Sequence, residues 1–180
     1  MDVARADWQG RSLAWHSSTG VVTPAFFEPQ GLGWLRTFYG GLVVTCGLTY
    51  AGAPCEDEGE ALGIHGRYSN LPASGIAVEQ GWRGDDYVAS VRGDVRETRV
   101  FGENICLTRS ITARLGENRF FLHDAVENEG FDATEHMILY HINIGFPALD
   151  DGAELVSPTL KATPRDAEAV RQFDARRPAA

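Results

Sequence analysis

The chain has 180 residues, 43% of them hydrophobic, which is enough for one domain with a real core and too few for two. Its formal net charge of −9 excludes the basic face with which a nucleic-acid binder neutralises phosphate. No run reaches the ~20 apolar residues needed to cross a bilayer, and Met1 to Asp7 lacks the apolar core of a signal peptide; a soluble cytoplasmic protein without nucleic-acid or membrane partners is expected.

Twenty glycines against eight prolines point to many turns rather than long helices. From Trp34 to Thr49 the chain is apolar and glycine-interrupted, and Arg36, shortly before Gly40-Gly41, is a charge that must be paired or serve a site. Cys46, Cys55 and Cys106 fit no metal-ligand spacing and read as reduced thiols behaving as small buried apolar side chains. The acidic segment Cys55 to Glu60 reads as a solvated loop.

Gly63-Ile64-His65-Gly66-Arg67 follows, with glycines that permit close approach of backbone or ligand and an arginine whose planar donors suit a sugar hydroxyl, carboxylate or phosphate. From Tyr87 to Phe146 alternation dominates, with turns at Gly102-Glu103-Asn104, Gly116-Glu117-Asn118 and Asn128-Glu129-Gly130. This predicts an antiparallel meander forming one continuous sheet, in a sandwich or barrel. Within it Ile105, Leu107, Ile111, Ala113 and Leu115 share one face, which Arg109 interrupts.

In the last run, Glu135 to Phe146, Ile138, Tyr140, Ile142, Ile144 and Phe146 share one face, and Met137, Leu139, His141 and Asn143 share the other. The second face changes from apolar to polar, as the wall of a ligand cradle does. His65 and His141 thus stand on two separate strand-like runs, and an imidazole titrates near neutrality, so a facing pair suits acid/base work on a hydroxyl-rich molecule. His136 lies on the face opposite His141, and His16 and His123 have no partner at ligand spacing, so no metal site and no cofactor are expected. A small metal-binding barrel using His65, His141 and an acidic residue lacks the His-x-His pair such sites use. Beyond Asp150 the apolar pattern fades. One domain is expected over residues 1–158 and a tail over 159–180, with a short helical stretch at Ala167 to Phe173.

Leu13-Ala14-Trp15, Gly31-Leu32-Gly33-Trp34-Leu35-Arg36, Thr45-Cys46-Gly47-Leu48, Gly63-Ile64-His65-Gly66-Arg67, Val126-Glu127-Asn128-Glu129-Gly130 and His136 to Asn143 come in an order that resembles the aldose 1-epimerases of the galactose mutarotase-like superfamily, in particular a bacterial branch of epimerase-like proteins. The resemblance implies an all-β antiparallel β-sandwich whose concave face holds a monosaccharide or sugar phosphate. It implies His141 as general acid on the ring oxygen, His65 as a supporting catalytic histidine, and Arg36, Arg67 and Asn143 as substrate-binding residues. It also implies a chain truncated at both ends, because the family's catalytic glutamate lies on a late strand and no residue after His141 takes that role. A non-catalytic sugar-binding module is therefore the alternative. An incomplete sandwich leaves sheet edges unpaired, which invites self-association into a homo-oligomer.

Overall fold

Gln9 and Gly10 both take left-handed backbone and join two short strands, β1 (Asp7–Trp8) and β2 (Arg11–Ser12), in a tight antiparallel hairpin. The computed structural model to which this hairpin belongs describes residues 1–175. Its first unit is Met1–Asp150 and a second begins at Asp151.

The remaining strands of the first unit are β3 (Val43–Leu48), β4 (Cys55–Asp57), β5 (Glu60–Leu62), β6 (Ala73–Arg83), β7 (Asp86–Thr98), β8 (Asn104–Arg114), β9 (Phe120–Asn128) and β10 (Met137–Ile142). All sheet pairings are antiparallel. β6-β7-β8-β9 form a four-stranded meander, while β10 pairs with β3 and β4 with β5. The expected all-β fold is found, but the single continuous sheet from Tyr87 to Phe146 is not. After β9 the chain leaves the meander, and β10 joins β3 in register from Met137 opposite Leu48 to Ile142 opposite Val43. Burial explains the departure: Ile138 packs with Leu48, Tyr68, Val95, Ile105 and Leu107, a cluster that exists only if β3 and β10 lie over β7 and β8.

The β6 strand gives no clear signal in sequence. Ala73 to Arg83 carries two glycines, is mostly exposed, shifts register between Ser74 and Ala77, and is held as an edge by its pairing with β7. The acidic segment is not a bare solvated loop but the β4–β5 hairpin, with Glu60 paired to Arg67 and Arg99. Cys46 and Cys106 are buried as expected, whereas Cys55 is exposed in that hairpin.

All six residues of β3 are buried. One side, through Leu48, joins the cluster just described; on the other, Val44 and Cys46 pack with Trp34, Phe27, Phe38, Tyr39, Ala51 and Ile64. The second unit contains the helix α1 (Ala167–Ala175) over the stretch expected to be helical, capped where Asp166 Oδ1 accepts from the Ala169 N–H at 2.8 Å.

Candidate functional site

His65 lies in a turn and not on the expected strand, and it reaches its place through an unusual backbone. Its φ is +64°, rare for a residue with a side chain, and the loop is fixed around it: His65 N–H donates to the Gly52 carbonyl at 2.9 Å and its own carbonyl accepts from Gly47 N–H at 3.1 Å. The glycine that follows is required by space as well as by its φ of +75°, since a side chain there would collide with the carbonyls of Tyr50 and Gly47. Gly66 and Gly47 form a parallel bridge that ties this loop to the end of β3.

His141 comes from β10, opposite Val44. The two imidazoles meet edge-on, with ring centroids 5.8 Å apart and planes at 80°. Behind them stands an aromatic wall. Trp34 meets His65 edge-on at 4.8 Å, Phe38 meets His141 at 5.3 Å, Trp34 and Phe38 stack at 4.5 Å, and Trp15 tilts against Phe38 at 5.8 Å. Trp34 is 2% exposed and its indole N–H donates to Ser69 Oγ at 2.8 Å, which fixes the wall. His141 Nδ1 is buried with no hydrogen-bond partner among the described residues. A buried polar atom left this way costs stability, and a ligand hydroxyl is the kind of group that relieves it.

The other expected ligands stand differently. Arg36 ends the short 3₁₀ helix Gly33–Arg36 that carries Trp34, but its side chain is exposed and paired with Glu28 at 3.3 Å. Arg67 is engaged by protein: it bonds Glu97 and Glu60 at 3.2 Å each, with its guanidinium over the Tyr50 ring. Glu97, almost fully buried, also accepts from the N–H groups of Leu48 and Thr49 and from the Thr49 hydroxyl. Asn143 is buried, and its amide donates to the carbonyls of Gly41 at 3.0 Å and His141 at 3.2 Å, fixing the strand end behind the site. The two histidines are therefore brought together, Arg36 stands at the surface, and Arg67 and Asn143 hold the scaffold.

Sequence reasoning placed its weight on charged residues and passed over Trp34, Phe38 and Trp15. Part of their signal was there: Trp34 and Phe38 lie in the glycine-rich run from Gly31 to Gly41, where an aromatic side chain must find its packing from afar. A cleft of about 870 Å³ opens beside β4 and β5, lined by residues that include Glu60, Glu103, Arg67 and Arg99. Neither histidine lines it, and these four charges are paired with one another or with Glu97. Among the described residues no group of three or more His, Cys, Asp or Glu is arranged to hold a metal ion, and no helix is long and apolar enough to cross a membrane.

Residues 1–179 match a family described as a domain of unknown function, DUF4432, and the chain belongs to that family. In three dimensions the chain is similar to a crystal structure from Klebsiella pneumoniae subsp. pneumoniae, of a protein provisionally assigned as an aldose 1-epimerase, with a TM-score of 0.78 and 32% identity. The match covers 84% of this chain and 40% of that one, so the chain spans less than half the length of its structural relative. The likeness extends the all-β finding to an aldose-epimerase-like, sandwich-type fold. No curated protein matches the chain.

Proposed function

We propose that this DUF4432 chain binds an aldose against the His65–His141 pair and interconverts its anomers by acid/base ring opening. The observation that carries the reading is the meeting of the two imidazoles at 5.8 Å against an aromatic wall, in a fold shared with a protein provisionally assigned as an aldose 1-epimerase. Mutarotation needs a proton delivered to the ring oxygen while another leaves the anomeric hydroxyl, here to solvent water; rotation about the first carbon–carbon bond and reclosure, with the two proton transfers reversed, then give the other anomer. An imidazole is suited to that delivery at neutral pH. His141 is the general acid in this reading and His65 holds the sugar beside it. Arg36, at the surface on the 3₁₀ helix that carries Trp34, would meet an anionic substituent of a sugar phosphate by exchanging its exposed pair with Glu28.

A second reading, a sugar-binding module without turnover, is favoured by the places of Arg67 and Asn143, both engaged with protein groups rather than turned to a ligand. Ligand-observed NMR on a panel of aldoses and their phosphates, with anomer-exchange spectra of wild type and His141→Ala, separates the two. Exchange above the spontaneous rate in wild type, reduced roughly 10²–10⁴-fold in the variant, supports the isomerase. Binding without exchange supports the module. Absence of both overturns the sugar reading.

A further inference from the structure

The motif Leu13-Ala14-Trp15 has no role in the reading above, yet the structure invests heavily in the position of Trp15. Its N–H donates to the Asn143 carbonyl at 2.9 Å and its carbonyl accepts from Gly41 N–H at 2.8 Å, so its backbone is clamped between the segment that follows His141 and the segment that follows Phe38. Ala14, nearly buried, bridges Ile144, and His16 bridges Gly40. Two glycines make room for the clamp. A side-chain carbon at Gly145 would lie 2.7 Å from the Trp15 Cα, and one at Gly40 would collide with the Trp15 carbonyl and come within 2.9 Å of Cε3 on the indole.

Trp15 is nevertheless 44% exposed, against 2% for Trp34 in the same aromatic cluster. Its one aromatic neighbour among the described residues is Phe38, the ring that touches His141. Isolated exposed tryptophans are common and mean little. One whose main chain is fixed from both sides, and which continues an aromatic wall toward solvent beside a histidine pair, is a different case.

We propose that Trp15 is the stacking platform of the site: a pyranose ring lays its apolar C–H face on the exposed indole while its oxygens face His65 and His141. The inference rests on the sugar reading and adds the residue that orients the ring and selects among aldoses. An indole offers a large, rigid, weakly hydrated face at little entropic cost, and the clamped backbone removes most of the ordering that binding would otherwise require. Aldoses whose axial hydroxyls interrupt the C–H face should bind less well than those presenting it unbroken.

The test uses the whole chain with its tryptophans ¹⁵N-labelled, titrated with D-glucose, D-galactose, D-mannose and D-xylose and with their phosphates. The four indole resonances are assigned by single Trp→Phe changes, so the experiment does not depend on any variant being fully stable. Movement of the Trp15 indole with sugar, while exposed Trp82 on β6 stays still, supports the platform. So does a roughly tenfold weakening of binding in Trp15→Ala with smaller loss in Trp15→Phe, which keeps an aromatic face. Sugar binding that leaves the Trp15 resonance in place, or that Trp15→Ala does not weaken, overturns the platform and leaves the sugar reading standing. No binding by wild type of any of the four sugars or of their phosphates overturns both.

Discussion

On one side of β3, Arg109 lies 0% exposed and bonds protein through every part of its fork: Nε and Nη2 to the two oxygens of Asp124 at 2.8 and 2.7 Å, and Nη1 to Asp2 Oδ1 and the Met1 carbonyl at 3.0 Å. Asp124 also accepts from the Tyr140 hydroxyl, Asp2 from Thr45 N–H, and the guanidinium stands over the Tyr68 ring. On the other side, His141 keeps a buried Nδ1 with no partner among the described residues. The first arrangement closes on itself and ties β8 and β9 to β3 and β10. The second leaves capacity for something that is not protein. The charged side need not be perfect to make the contrast, since Thr45 Oγ1 and Tyr68 Oη there also lack partners among the described residues. What separates the two regions is that on the His141 side the unused atom belongs to an imidazole beside a second imidazole, not to a member of a closed ion-pair network.

Removing the guanidinium strains the contrast hardest. Arg109→Met leaves Asp2 and Asp124 buried without their cation and should cost about 3–5 kcal/mol, read as a lower midpoint in urea unfolding. A loss below about 1 kcal/mol would mean the network is no tie between sheets. Glu97→Leu comes next. It strips acceptors from two backbone N–H groups, the Thr49 hydroxyl and Arg67, and should cost about 3 kcal/mol. Arg67→Ala, which removes a partner of Glu97 near the surface, should cost about 1 kcal/mol and leave sugar affinity nearly unchanged; affinity lost without stability would return Arg67 to the ligand site.

The His141 side should answer in the opposite sense. His141→Leu removes a buried polar atom that no protein group satisfies, so stability should hold within about 1 kcal/mol or rise, while anomer exchange disappears. A drop of about 3 kcal/mol or more would make His141 a structural histidine and sink its assignment as the acid.

How much of this was legible in the chain follows from the same contrast. Alternation exposed β8 and its neighbours because their faces are apolar and periodic, and Arg109 showed as the break in that pattern. The partners of Arg109 did not show: Asp2 lies 107 positions away, and nothing local marks it as the ligand of a buried arginine. The pairing of β10 with β3 was hidden for a similar reason, since both faces of β3 are covered and a fully buried strand gives no period. The histidines were legible because glycines bracket one and polarity changes around the other. Arg36 and Arg67 drew attention by charge, but charge in an apolar run says only that a partner is needed, and here Glu28, Glu60 and Glu97 supply it.

The smallest expected effect is alkaline and again divides the two sides. Burial, helped by the bond to Asp124 and the charge of its carboxylate, raises the Tyr140 hydroxyl from the usual 10.0 to about 12, although Arg109 pulls the other way. The neutral phenol donates to Asp124 at 2.7 Å, whereas a phenolate would lose that bond and face a carboxylate. Because the folded value is raised above the unfolded one, this contribution is fully present below pH 10.0 and is lost as the pH rises through about 12. Cys46, raised from 9.0 to about 12 by burial and by Asp2, contributes in the same direction from a lower starting pH. Unfolding midpoints measured from about pH 8 to about pH 11 should therefore fall, and fall less steeply in Tyr140→Phe, which has no hydroxyl to ionise. That variant should be about 1 kcal/mol less stable than wild type at neutral pH, for the lost bond, and should close part of the gap in alkali. His141→Leu, which leaves Tyr140 and Cys46 in place, should keep the wild-type slope. If instead Tyr140→Phe keeps the wild-type slope, the hydroxyl is not coupled to the Arg109 network, and the closed character of that side of β3 is disproved at its most accessible member.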